Sequence, residues 1–407
     1  MINYFDGDTR PTPVNLAVAR AIIVGLILWK IIRYKWRALP TWPTPLRDIL
    51  PIFRHPIVFQ HIDLIAIICA GLLFAVLVGY RLRATALVSA VLVTYLGTVR
   101  HAYQTSHTSR ILFNMALVLV LFAVFAEEDK LTLDQLRRTR TKSMDMLAEH
   151  LEGENGQYRH RALKWSLVLI GLFYFQGGYS KLVLGNPFEW VQPWSLGRFI
   201  AFRTDGPTYF LSDFLLSYPS LLAAGAVGTL LLEVGFLFAI VLGKRIWPFL
   251  IGLAGMHFVI AFSVGPIFTD QLPFLALFLP WDRALGHLQR SDDVVVVYDR
   301  NCLFCMRSLH LLRYLDINGT VAYYNQYTVP DRWDRADADF EDAMYAFRGG
   351  AVFRGYDAFR ELFRQFWVLR PATRVRSLPG IQHVGDRIYR YIAENRSRHF
   401  ACSIDNS

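Results

Sequence analysis

Cysteine is scarce in this chain. Four residues among 407 are too few for the small, cysteine-dense scaffolds that disulfides staple together in secreted proteins. Charge is scarce as well. Asp, Glu, Lys and Arg make up 19% of the residues against 54% hydrophobic, a balance too apolar for a soluble two-domain enzyme and suited to a partly membrane-embedded chain. No internal repeat and no low-complexity tract is present. A cleavable secretion signal is not expected either. The first apolar run begins near Val14, behind Asp6 and Asp8, and lacks a small-residue cleavage site, so it is expected to be a retained first span. The formal net charge of +10 does not come from one basic face. Its residues fall in short clusters between apolar segments, which suits juxtamembrane anchoring and argues against a nucleic-acid partner.

Long apolar stretches fill the first two thirds. They lie near residues 14–32, 62–80, 84–99, 111–126, 163–180, 220–242, 246–264 and 267–281, with the third, fourth and eighth shorter than the rest. A helix needs about 20 apolar residues to cross a bilayer, so residues 1–282 are expected to form a multi-pass α-helical bundle of about eight spans. The expected location is a cell or inner membrane. Polar groups inside the stretches, such as Tyr95, Gln176 and His257, indicate helices that face one another as well as lipid. Arg81 and Arg83, the group Lys130 to Lys164, and Lys244 with Arg245 fall on one side of such a bundle. By the positive-inside bias that side is cytoplasmic, with both termini on it. Lys30, Arg33, Lys35 and Arg37 dissent, following the first span on the opposite side.

After Trp281 the composition changes. Residues 283–292 read as a polar linker, and residues 293–407 as a small soluble domain expected on the cytoplasmic side. Its first segment, VVVVY at 294–298, reads as a buried parallel strand, because β-branched residues favour the pleated conformation and both faces are apolar. Apolar residues at helical spacing follow through Leu309, Leu312 and Leu315. VAYYNQ is a second candidate strand, MYAFRGGAVFRG a hairpin turning at Gly349 and Gly350, and Asp357 to Phe366 a helix. That order of elements is that of a thioredoxin-like α/β unit.

Cys302 and Cys305 therefore fall at a strand-to-helix junction. A helix N-terminus presents unpaired N–H groups and the positive end of the macrodipole, which favours the reactive thiolate. Two intervening residues place the second sulfur one turn on, where it can resolve a mixed disulfide. Cys302 is the expected nucleophile and Cys305 the resolving thiol, with Asp299 and Arg300 adjusting local charge and proton transfer. Two other readings stand beside this one. A CxxC pair is half of a zinc site, although only His287 and His310 lie near in sequence as further ligands. It can also be inert packing, the expected role of Cys69 inside its apolar run. No metal is expected.

The stretch YDRNCLFCMRSLHLLRYLD resembles the opening of the DCC family of predicted thiol-disulfide oxidoreductases. RGGAVFRGYDAFRELF and RIYRYIAENRSRHF resemble the later part of that family, so the likeness runs over about residues 293–400. It implies a redox-active dithiol and a thiol or disulfide partner, protein or small molecule.

In the bundle, SLVLIGLFYFQGGYSKLVLG carries a polar group that includes Lys181 at the end of an otherwise apolar helix. Such a lysine either snorkels to the interface or marks a functional cavity. His257 divides between a satisfied packing residue and a ligand or acid. The first of these sequences, with RHAYQTSHTSRILF and MHFVIAFSVGPIFTDQLPFLALFLPWD, resembles the HTTM membrane domain related to vitamin K-dependent γ-carboxylase. That resemblance implies a base at Lys181 and a histidine, His107, near the same site. A membrane-bound thiol-disulfide oxidoreductase is the leading expectation. The alternatives are a carboxylase-like membrane enzyme acting on a quinone-like or peptide substrate with the CxxC domain as redox partner, and a non-enzymatic redox-sensing membrane protein. No tightly bound cofactor is expected, and a quinone-type lipid-soluble carrier is the candidate electron partner.

Overall fold

The computed structural model describes residues 12–34, 36, 61–103, 107–153, 158–203, 211–265, 270–290, 292–333, 338–375 and 381–399. The chain divides into two compact units. One holds Leu16–Asp129 and Arg159–Leu279; the other holds Arg10–Asn15, Lys130–Tyr158 and Pro280–Ser407.

In chain order the helices begin with α1 (Val14–Arg33), α2 (Ile62–Val78), α3 (Leu82–Tyr103) and α4 (His107–Val124). Helices α5 (Leu133–Arg140) and α6 (Met144–Glu152) follow, and then α7 (Arg161–Tyr179), α8 (Pro219–Val241) and α9 (Trp247–Val264). Apart from α5 and α6, these are the main helices of the first unit, with shorter ones at Pro187–Trp190, Pro193–Arg203 and Ser212–Ser217 between α7 and α8. Its interior is aliphatic and aromatic, built from residues such as Ile23, Leu73, Val93, Leu119, Leu167 and Phe236. The outward side chains are apolar too. Ile67, Phe74, Val91, Leu231 and Ile251 are all more than 60% exposed, an arrangement that suits hydrocarbon and not water. Small residues set how closely the helices approach. A Cβ on Gly171 of α7 would lie 2.7 Å from Ile240 of α8, and one on Gly178 would lie 2.6 Å from Val234.

Five of the described helices are long and apolar enough to cross a membrane: Val14–Arg33, Leu82–His101, Arg161–Leu184, Pro219–Val241 and Trp247–Val264. Two of the expected spans, the second and the fourth, are shorter apolar helices, Ile62–Val78 and Ile111–Val124. The expected eighth span differs more. Its described part breaks into Gln271–Leu275, a single 3-10 turn at Ala276–Phe278, and a further short helix from Trp281. Pro273 and Pro280 lie within that stretch, and proline ends or interrupts a helix by removing an N–H donor and crowding the preceding turn. Lys30 also differs from its reading as a loop cation. It is 2% exposed within α1 and ion-paired with Asp270, so its charge is neutralised inside the unit.

The second unit is a four-stranded mixed sheet in the order β2-β1-β3-β4. Strand β1 (Val294–Tyr298) is followed by α10 (Leu303–Arg313), β2 (Val321–Asn325), β3 (Tyr345–Arg348), β4 (Ala351–Arg354), α11 (Tyr356–Gln365) and α12 (Ile381–His399). β1 pairs in parallel with β2, Val296 opposite Tyr323, and antiparallel with β3, Val296 opposite Ala346. All five β1 residues are buried, as a strand covered on both faces requires. Gly349 and Gly350, at φ 52° and 84°, make the tight hairpin between β3 and β4. This topology is consistent with a thioredoxin-like domain.

The two-residue period of β1 serves two cores. Val294, Val296 and Tyr298 pack with Met306 and Leu309 of α10, Leu362 of α11, and Leu147 and Leu151 of α6. Val295 and Val297 pack with Phe340, Tyr345 and Phe347 on the opposite face. The basic segment read as a loop between two spans thus supplies part of a hydrophobic core. Residues 283–292, read as a linker, are also tied in: the Gln289 carboxamide donates to Asp316 at 2.9 Å and accepts from the backbone N–H of Ile317 at 3.0 Å.

Candidate active site

α10 begins at the cysteine pair. Cys302 is its capping residue, with extended backbone geometry, and its sulfur accepts a hydrogen bond from the Cys305 N–H at 3.2 Å. The first turn holds no acidic residue, and the positive end of the helix dipole acts on Sγ. The Cys302 and Cys305 sulfurs are joined as a disulfide, with Cα atoms 5.3 Å apart. Both residues are largely buried, 4% and 7% exposed. An attacking partner therefore meets little accessible surface.

The turn from β1 into α10 is braced by its own polar groups. The Asp299 carbonyl accepts from Cys302 N–H at 3.1 Å, and its carboxylate accepts from Asn301 N–H at 2.8 Å. Gln326, just after β2, clasps this turn from the neighbouring strand. Its carboxamide oxygen accepts from Arg300 N–H at 2.7 Å while its NH₂ donates to Asp299 at 3.2 Å. The expected supporting pair thus separates. Asp299 shapes the turn, whereas the Arg300 guanidinium points to Asp145 of α6 at 3.3 Å.

Helix α6 touches this region at more than one point. Glu152, at its end, accepts hydrogen bonds from Tyr298 Oη at 2.7 Å and from Asn325 Nδ2 at 2.6 Å, at the C-terminal ends of β1 and β2. Burial and the Glu152 carboxylate hold the Tyr298 phenol protonated, well above its ordinary value. Behind the cysteines, His310 of α10 is fully buried with its ring 4.2 Å from that of His150. The Lys142 ammonium lies 3.3 Å from His310 Nε2. Burial, followed by the nearby Arg313, Lys142 and Lys130 charges, pushes His150 down to about 4. Burial, then His150 and the same cations, pushes His310 down to about 3. Among the described residues no three His, Cys, Asp or Glu side chains gather as a metal site.

Residues 296–402 match the family of DCC1-like thiol-disulfide oxidoreductases. The matched segment contains β1 from its third residue, the cysteine pair, the rest of the sheet and α12. No curated protein and no solved structure matches the chain.

The candidate residues of the first unit form two separate contacts. Lys181 lies in a π-helical turn, Ser180–Leu184, that continues α7. Its ammonium is 2.6 Å from both carboxylate oxygens of Glu233 on α8 and 5.0 Å from the centre of the Trp190 ring. His257 of α9 instead shares a 2.8 Å hydrogen bond with Tyr174 of α7. His107 opens α4, and its side chain lies outside the described residues.

Sequence reading passed over Glu233, Gln326, Asp145 and Glu152. For Glu233 a signal existed, as the lone carboxylate in the 23-residue apolar helix Pro219–Val241. The other three carry no local mark.

Proposed function

We propose that this protein is a membrane-anchored thiol-disulfide oxidoreductase whose working pair is Cys302 and Cys305. The observation that carries the reading is the cap of α10, where one sulfur accepts a backbone N–H at a helix N-terminus and the other sits one turn later. In the reduced form the Cys302 thiolate attacks a substrate disulfide, forming a mixed disulfide and expelling one substrate thiolate. The Cys305 thiolate then attacks Cys302 Sγ, expels the second, and leaves the Cys302–Cys305 disulfide. Two electrons pass to the substrate, and its two thiolates take up two protons. Oxidation of a dithiol substrate is the same sequence reversed. The five long apolar helices support anchoring in a bilayer.

Cys302→Ser is expected to abolish exchange with a model dithiol, and Cys305→Ser to trap the mixed disulfide, detected by mass spectrometry. Exchange that persists in the double variant would refute the assignment.

A second reading rests on the Lys181–Glu233 pair. An ion pair between apolar helices, beside a π-helical turn, is the kind of feature that marks a site in membrane proteins. In this reading the HTTM-like first unit acts on a quinone-like or peptide substrate, with the quinone class also serving as electron carrier and His107 and His257 as further candidates. Lys181→Ala and Glu233→Gln should then stop turnover of the quinone-class substrate while thiol exchange with a soluble dithiol continues. Unchanged quinone turnover in both variants would dispose of it.

A further inference from the structure

The last described helix, α12, has two sides of opposite character. One side packs on the sheet domain: Tyr389 Oη accepts from Met344 N–H at 3.1 Å, and Gly385 lies against the Tyr356 ring. A Cβ on Gly355 would lie 2.9 Å from the Tyr389 ring, so the fit on this side is close. The other side carries Val384 and Ile388, 58% and 56% exposed, with Tyr391 at 62% on the same stripe. Spacings of four and three residues put these three on one line along a helix. Exposed Arg387 flanks that line on one side, and exposed His383, Arg390 and Glu394 lie farther round the same way. The helix sequence holds four arginines against Asp386 and Glu394.

We propose that this stripe of α12 lies on an anionic lipid surface, with Val384 and Ile388 entering the acyl boundary and Arg387 and Arg390 pairing with lipid phosphates. An amphipathic helix with a basic border binds membranes in this manner, through apolar burial and charge attraction together. Three observations favour lipid over a protein partner. First, the apolar stripe is narrow, a few side chains wide, which is enough to wet into a headgroup layer and small for a stable protein interface. Second, the helix is net cationic on guanidinium groups, four arginines against two carboxylates, and guanidinium matches phosphate oxygens in a bidentate fork. Third, the chain carries five helices fit to cross a bilayer, so a lipid surface is present at high effective concentration.

The proposal rests on the membrane anchoring proposed above. The test separates the two. A photo-crosslinking amino acid is placed at Ile388, or at Ile251 of α9 as the embedding control, in the full chain reconstituted into vesicles. One set of vesicles is phosphatidylcholine with one quarter phosphatidylglycerol, the other pure phosphatidylcholine, and adducts are identified by mass spectrometry. The expected result is lipid adducts from both positions in the anionic vesicles. The Ile388 yield should fall several-fold in pure phosphatidylcholine and in Arg387→Glu/Arg390→Glu, while the Ile251 yield stays constant. Lipid adducts from Ile251 with none from Ile388, or adducts from Ile388 to another copy of the chain, overturn the docking of α12. An Ile388 yield indifferent to lipid charge overturns the role of the arginines. Loss of lipid adducts at both positions overturns the anchoring, and the docking with it.

Discussion

Cys302 does two things with one sulfur: it caps α10 and it forms half of the disulfide. Any group that fixes the turn ahead of it would therefore act on the proposed thiol exchange through geometry. Gln326 is the clearest of these, since it holds Arg300 and Asp299 from the adjacent strand. Gln326→Ala removes two hydrogen bonds at about 1 kcal/mol each, and the rate of thiol exchange is expected to drop roughly fivefold or more. A variant with normal exchange would show that the clasp is dispensable. The cysteine pair was legible in the sequence because CxxC at a strand-to-helix junction is a local pattern. Gln326 and Asp145 were not, because they reach Arg300 across 26 and 155 residues of chain, a proximity that only the fold creates.

At the scale of elements, α6 lies against the cysteine helix with an imidazole pair between them. His150 and His310 are held near 4 and 3, below the ordinary histidine value of about 6.5. In the folded protein both are uncharged at neutral pH. As pH falls from about 6.5 toward 4, the unfolded chain takes up protons that the folded one excludes, so stability is lost through that window. The second unit is expected to melt at a clearly lower temperature at pH 5 than at pH 7. His310→Phe should flatten this dependence, and equal slopes by calorimetry would rule out the pair as its source. The strands themselves could be read from sequence, since four consecutive valines and a Gly-Gly turn have few other solutions. The helices α5 and α6 could not be assigned. Their basic residues are those that membrane topology also places in loops, and Leu147, Ala148 and Leu151 show a core-facing side only once β1 and α10 are beside them.

For the whole molecule, the division of the chain is not the division of the sequence into an apolar part and a polar part. Segment Lys130–Tyr158 lies between helices of the first unit and belongs to the second. A fragment restricted to 280–407 would leave bare the surface that Leu147 and Leu151 cover. It is expected to lack a cooperative thermal transition by circular dichroism, and fusion of residues 130–158 to its N-terminus should restore one. An equally sharp transition without the segment would show that it only decorates the domain. The mixed character of the chain, apolar early and α/β late, was plain from composition. This interleaving was not, because composition carries no information about which distant segments share a core.

The same interleaving sets a timetable on the ribosome. Glu152 is made 146 residues before Tyr298, the partner whose hydroxyl it accepts, and at about 5–20 residues per second that is a delay of roughly 7–30 seconds. Through that interval the leucines of α6 have no sheet to cover, while α7, α8 and α9 of the first unit are being synthesised after them. The nascent chain must keep this segment unaggregated until β1 emerges, which makes translation, and not only sequence, a determinant of whether the second unit is completed.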